Sequence, residues 1–161
     1  MSKGITRGPR PQGVQRAFMR APIWIYRAGM GWLLGGRFLM IVHRGRKSGA
    51  ARSTVLEVVD HDPDGDIFFV ASGWGEKADW LQNIIKTPDV ILYTGSRRRP
   101  GRAERLSVDQ ATDRLLSYAS RHPHAFAALG KLMSGKALPP TEAGCRELAG
   151  IVPLVALRPR A

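Results

Sequence analysis

Acidic side chains are missing from the first third of this chain. Residues 1–56 contain no Asp and no Glu, although eleven Lys or Arg fall among them. The other 105 residues hold fourteen basic and thirteen acidic groups, so eleven of the twelve net positive charges belong to that third. A partner recognised through charge is therefore anionic and meets this part of the chain. A small phosphorylated molecule, a nucleic acid and a lipid surface are the three readings this leaves open. Cysteine is almost absent. The single Cys145 excludes an internal disulfide and fits a reducing, cytoplasmic setting. It reads as a small packed hydrophobe on a helix. Long apolar runs are lacking too. The run over 21–34 carries Pro22, Arg27, Gly29 and Gly31, and it falls short of the ~20 apolar residues a spanning helix needs. No secretory leader is expected, because a basic lead containing Pro and Gly precedes that run and no convincing cleavage site follows it. There is no His/Cys cluster at metal-ligand spacing, so no metal site is expected.

What is present fits one domain. A chain of 161 residues with 43% apolar content can bury a real core. Residues 1–13, rich in Gly, Pro and basic groups, read as a disordered basic arm. Residues 14–161 read as a single domain that begins with a helix over 14–34. In that helix Val14, Phe18, Ala21 and Ile25 recur at helical spacing while Arg16, Arg20 and Arg27 lie off the stripe. Strands are expected over 37–43, 52–59, 66–71, 90–94, 102–106 and 151–157. Asp60 to Gly65 forms a strong turn signal, and Arg97-Arg98-Arg99-Pro100-Gly101 reads as another turn. Helices are expected over 77–86, from a capping box at Ser107 and Gln110, over 125–133, and from Thr141 to Gly150. Six short strands with interspersed helices predict an α+β fold, a small antiparallel β-barrel flanked by helices.

One motif stands out. Gly45-Arg46-Lys47-Ser48-Gly49 joins two expected strands. Its glycines allow the backbone to turn and approach a ligand closely. Successive N–H groups in such a turn can cradle an anion. Arg46 offers a fork for phosphate or carboxylate, Lys47 a point charge and Ser48 a hydroxyl. Arg52 and Thr54 return past the same place. The spacing and the strand–strand context exclude a Walker loop. A solvated hairpin turn is the plain alternative.

The stretch from Phe38 to Gly49, then Arg52-Ser53-Thr54-Val55-Leu56, Val70-Ala71-Ser72-Gly73-Trp74-Gly75, Trp80-Leu81-Gln82-Asn83-Ile84 and Pro88 resembles the deazaflavin-dependent nitroreductase-like oxidoreductases. The likeness covers roughly residues 37–106 and the last strand. It implies a six-stranded split β-barrel that holds coenzyme F420 in a groove. The phosphate and polyglutamate tail would lie by the basic loop and the deazaflavin ring over the end of strand three. The cofactor-binding set this implies is Arg46, Lys47, Ser48, Gly49, Arg52, Thr54, Val55, Ala71, Ser72, Gly73, Trp74, Trp80 and Asn83. The implied activity is F420H2-dependent hydride transfer to a small organic acceptor: a quinone, an enone or a nitro compound. Such chemistry needs neither a metal nor a nucleophile from the protein, and no residue is singled out as catalytic. The chain departs from the nitro-reducing members. Ser72 and Trp80 lie only eight apart, and a tyrosine-rich stretch of those members reads here His122-Pro123-His124-Ala125-Phe126. That favours a quinone or enone over a nitro compound.

Other residues carry two readings. Glu57 shares a strand face with Val55 and Val59, so it can point inward and pair with a barrel Arg. Trp80 reads as core or cofactor wall, and Trp74 as pocket or exposed. His122 and His124 read as polar turn residues or proton donors. Arg97–Arg99 reads as a solvated hairpin tip. Competing functions are a non-catalytic split-barrel carrier of F420 or FMN, and a peripheral binder of anionic membranes through residues 14–34, whose Trp24 and Trp32 accompany basic groups. Nucleic acid is disfavoured, because Trp24, Tyr26 and Trp32 sit in an apolar helical run rather than among exposed basic groups. Both a monomer and a homodimer are compatible with the sequence.

Overall fold

The computed structural model describes residues 38–72 and 75–160. The expected basic arm and the helix over 14–34 lie outside the described residues, as do Gly73 and Trp74.

Six strands close into an antiparallel barrel: β1 (Phe38–Arg44), β2 (Ala51–Asp62), β3 (Ile67–Ala71), β4 (Asp89–Thr94), β5 (Arg97–Arg105) and β6 (Leu154–Pro159). Their order around the barrel is β1-β2-β3-β6-β5-β4, with β4 returning to β1. Closure gives each strand a neighbour on both sides. Helix α1 (Asp79–Lys86) lies between β3 and β4, behind a short 3-10 turn at Gly75–Lys77. Helices α2 (Val108–Arg121), α3 (Pro123–Ser134) and α4 (Glu142–Ala149) lie between β5 and β6.

Two apolar clusters hold these layers. Leu39, Ile41, Leu56, Val70, Leu92 and Leu157 fill the barrel, and Trp80, Leu81 and Ile84 of α1 join them. Phe69, Leu115, Phe126, Leu148, Leu154 and Ala156 pack the three later helices on the outside of β3 and β6. β6 therefore supplies Val155 and Leu157 to one cluster and Leu154 and Ala156 to the other. A strand buried on both faces reads as an unbroken apolar run. The capping box forms as read: the Gln110 N–H donates to Ser107 Oγ at 3.2 Å, and the Ser107 N–H donates to Gln110 Oε1 at 3.0 Å. Thr141 caps α4 through the Gly144 N–H.

Three expectations are corrected. Arg97–Arg99 is not a hairpin tip but the start of β5. The turn is Gly95-Ser96, where Gly95 takes φ +59° and lets Thr94 pair with Arg97. Pro100-Gly101 survives inside the strand because Pro100 lies beyond the last β5–β6 pair, Gly101 with Pro159. Glu57 does share its face with Val55 and Val59, but that face is the outside of the barrel, and Glu57 is exposed. The buried carboxylate is Asp60. A β-bulge between Val58 and Asp60 shifts the strand's phase, so Asp60 turns to the helix layer and meets Arg114 and Arg121 of α2. β6 begins at Leu154 rather than 151, because the Ile151 and Val152 N–H groups still bond back to Leu148.

Candidate functional site

The inner face of β1 runs Leu39, Ile41, His43, and the matching face of β2 runs Leu56, Thr54, Arg52, each facing its partner in register. Along both strands the barrel's apolar column becomes polar at one end. Helix α1 covers that end. Its Trp80, Leu81 and Ile84 enter the core, while Asp79, Asn83 and Lys86, at i, i+4 and i+7, form a polar ridge on the other side.

That ridge grips the glycine-bounded loop. The loop is closed by its own backbone: Gly45 N–H to Ala50 O at 2.8 Å and Gly49 N–H to Gly45 O at 2.9 Å. Gly49 turns with φ +70°, a conformation side chains disfavour. The Arg46 N–H and its Nη1 both donate to Asn83 Oδ1 at 3.0 Å. Arg46 Nη2 pairs with Asp79 Oδ1 at 3.2 Å, and Lys86 Nζ donates to Arg46 O at 2.8 Å. Asn83 Nδ2 and His43 Nδ1 are 3.1 Å apart, and His43 Nε2 lies 3.0 Å from Thr54 Oγ1. His43 is buried. Desolvation, then the charge of Arg52, lowers its pKa to about 4 against an opposing pull from Asp79. Its imidazole is therefore neutral near pH 7.

Between loop and helix lies an open cavity of about 390 Å³. Its lining brings together Arg46, Lys47, Ser48, Arg52, Thr54, Trp80 and Asn83 of the expected set, with His43, Gly45, Ser53 and Asp79 added. Among the described residues, Lys47 and Arg52 are exposed and take part in no ion pair, whereas Arg46 is held by α1. The cavity thus offers two unspent cations, three hydroxyl side chains and the Trp80 side chain around a bed of hydrogen bonds. Such a surface binds an oxyanion attached to a flat apolar body.

A family model described as F420H(2)-dependent quinone reductase matches residues 18–130. The chain belongs to that family. A Mycobacterium tuberculosis protein named "Putative F420H(2)-dependent quinone reductase Rv3178" is 30% identical over 136 residues, covering 83% of this chain and 99% of its own length. A solved structure titled F420-H2 dependent reductase (FDR-A) superposes with TM-score 0.52 at 15% identity, over 76% of this chain and 94% of that one. A general stress protein 26 relative of the pyridoxinephosphate oxidase family, from Clostridium acetobutylicum, does so with TM-score 0.51 at 10% identity, over 84% of each chain. These two likenesses speak for the split-barrel fold. The family's description names quinone reduction, so the nitroreductase-like label of the sequence resemblance is not carried over.

The remaining expected residues are scattered. Gly49 lines a second cavity of about 400 Å³ with Val42, Ile91 and Pro100. Val55 is half-buried opposite Met40. Ala71 ends β3 against Leu154. Ser72 is fully buried, and its Oγ donates to Gly75 O at 2.8 Å, so its hydroxyl is used in the turn after β3. Sequence reading missed His43 and Asp79 as site residues. A lone polar residue closing the Leu39–Ile41 alternation was the signal for the first. An acid one helical turn before Asn83 was the signal for the second.

Proposed function

We propose that this protein is an F420H2-dependent reductase whose acceptor is a quinone or a comparable electron-poor alkene. The observation that carries this reading is the pairing of unspent cations, Lys47 and Arg52, with Trp80 in one cavity of a family member. The cofactor's phosphodiester and glutamate carboxylates need cations that no protein acid already neutralises. The donor set fits them.

When bound, F420H2 supplies the hydride. The protein's part is binding and orientation. Lys47 and Arg52 hold the tail through charge. Arg46 does not; it holds the loop to α1 so that Lys47 faces the cavity. Trp80 offers an apolar wall. The missing tyrosines in the 122–128 stretch are why a quinone or enone is preferred to a nitro acceptor. The family description speaks for F420, and nothing in the site favours FMN.

Titration of the protein with F420, F420H2 and FMN, followed by tryptophan quenching, tests the binding claim. F420 should bind and FMN should not. The Lys47→Ala, Arg52→Ala double variant should lose about 2–3 kcal/mol, roughly a hundredfold in affinity. A panel of quinones, enones and nitro compounds with F420H2 then tests the chemistry. F420H2 binding without oxidation by any of them would make the protein a carrier.

A further inference from the structure

The polar bed of the cavity has a direction. Asn83 Oδ1 faces two donors, the Arg46 N–H and Arg46 Nη1. Its amide cannot be turned round without setting an NH2 against both of them. Asn83 Nδ2 therefore faces His43, and Nδ1 of the imidazole must accept. With Nδ1 bare, the ring's one proton sits on Nε2, which donates to Thr54 Oγ1. A hydroxyl whose lone pair is taken by a fixed donor keeps its own hydrogen for something else. Thr54 is half-buried, lines the cavity, and its Oγ has no other hydrogen-bond partner among the described residues.

We propose that His43 is a positioning residue: held in its Nε2-protonated form by Asn83 and Arg46, it turns the Thr54 hydroxyl hydrogen into the cavity as a fixed donor to a ligand oxyanion. The idea rests on the cofactor reading above only for the identity of that ligand. The surroundings agree with a neutral ring. Burial and then the charge of Arg52 on β2 oppose a second proton, while Asp79 on α1, itself paired with Arg46, pulls the other way. A neutral imidazole keeps the relay's polarity across ordinary pH, where an imidazolium would set Nδ1–H against the Asn83 amide.

Long-range proton–nitrogen NMR of the wild-type protein reads the tautomer without any ligand. Nε2 should carry the proton, Nδ1 should be bare, and the signals should stay unchanged from pH 8 down to about pH 5.5. A protonated Nδ1 overturns the proposal. Binding is then measured with F420 and, separately, with inorganic phosphate. Thr54→Val should weaken both about tenfold, and Thr54→Ser should stay within about twofold of wild type. In a His43→Leu background the same Thr54→Val change should cost less than about threefold, since the hydroxyl there is no longer aimed. Equal costs in the two backgrounds overturn the proposal, as does an unchanged affinity in Thr54→Val. Phosphate binding that follows Thr54 without any F420 binding would uphold the relay and overturn the cofactor reading instead.

Discussion

His43 sets a pH limit on the fold itself. An imidazole in the unfolded chain takes its proton near pH 6.5, and in the folded chain only at about 4. Between those values the unfolded state holds more protons, so stability is complete above the window and falls as pH drops through it. The difference amounts to on the order of 3 kcal/mol. Urea unfolding of the wild type should therefore lose about 2–3 kcal/mol between pH 7.5 and 4.5, and His43→Gln should lose clearly less. The pair of Asp66 with Arg99, which holds that carboxyl below its usual value, weakens only below about pH 4 and lies outside the window. Identical pH profiles for the two proteins would mean that the ring is not held neutral. The same residue scale shows what the sequence could and could not say about the site. Lys47, Arg52 and Thr54 were legible, because a basic turn and its returning strand bring them together through local geometry. Arg46 read as a fork for phosphate or carboxylate. Its partners Asn83 and Asp79 lie more than thirty residues away, so only the docked helix reveals that it holds the loop.

Among the elements, the caps were legible because their chemistry is local: the Ser107–Gln110 box and Thr141 before α4. The Asp60–Gly65 signal marked a hairpin, but β2 stays paired as far as Asp62, and the expected Arg97–Gly101 turn is strand. Phase was not legible. A strand's alternation tells which residues share a face, but the side that face takes depends on what packs there, and the β2 bulge changes phase midway. Glu57 and Asp60 exchange their expected fates for that reason. The bulge makes Asp60 the clasp between barrel and helix layer. It is only 6% exposed, faces both Arg114 and Arg121, and Arg114 also lies over the Phe69 ring at 4.2 Å. Removing its charge strands two guanidinium groups that are themselves half-exposed, so the loss falls below that of a fully buried pair. Asp60→Asn should cost about 1–3 kcal/mol in urea unfolding. Asp109→Asn, which disturbs the exposed pair with Arg146, should cost less than about 0.5 kcal/mol. Comparable losses for the two variants would deny Asp60 its role as clasp.

At the scale of the molecule, charge is sorted rather than merely excessive. The acid-free third begins the chain, and its described part, β1 to the start of β2, brings Arg46, Lys47 and Arg52 to the cavity. Asp79, from another part of the chain, neutralises one of these, the cation that holds the loop. The field that remains acts on whatever enters the cavity with negative charge, and it acts through water, because Lys47 and Arg52 are exposed. Exposed charges are screened by salt, with a reach that shrinks from roughly 10 Å at 0.1 M to about 3 Å at 1 M. The affinity for F420 should accordingly fall several-fold between low salt and half-molar sodium chloride. A tail-less deazaflavin, which lacks the phosphodiester and glutamates, should bind more weakly and ignore the salt, since only apolar contact such as that with Trp80 remains to it. The Lys47→Ala, Arg52→Ala variant should flatten the salt dependence for F420 while leaving the tail-less compound unchanged. Isothermal titration at several salt concentrations measures all of these. If both ligands respond to salt alike, or if the double variant keeps the wild-type slope, the tail does not lie in this cavity and the sorted charge serves another anionic partner.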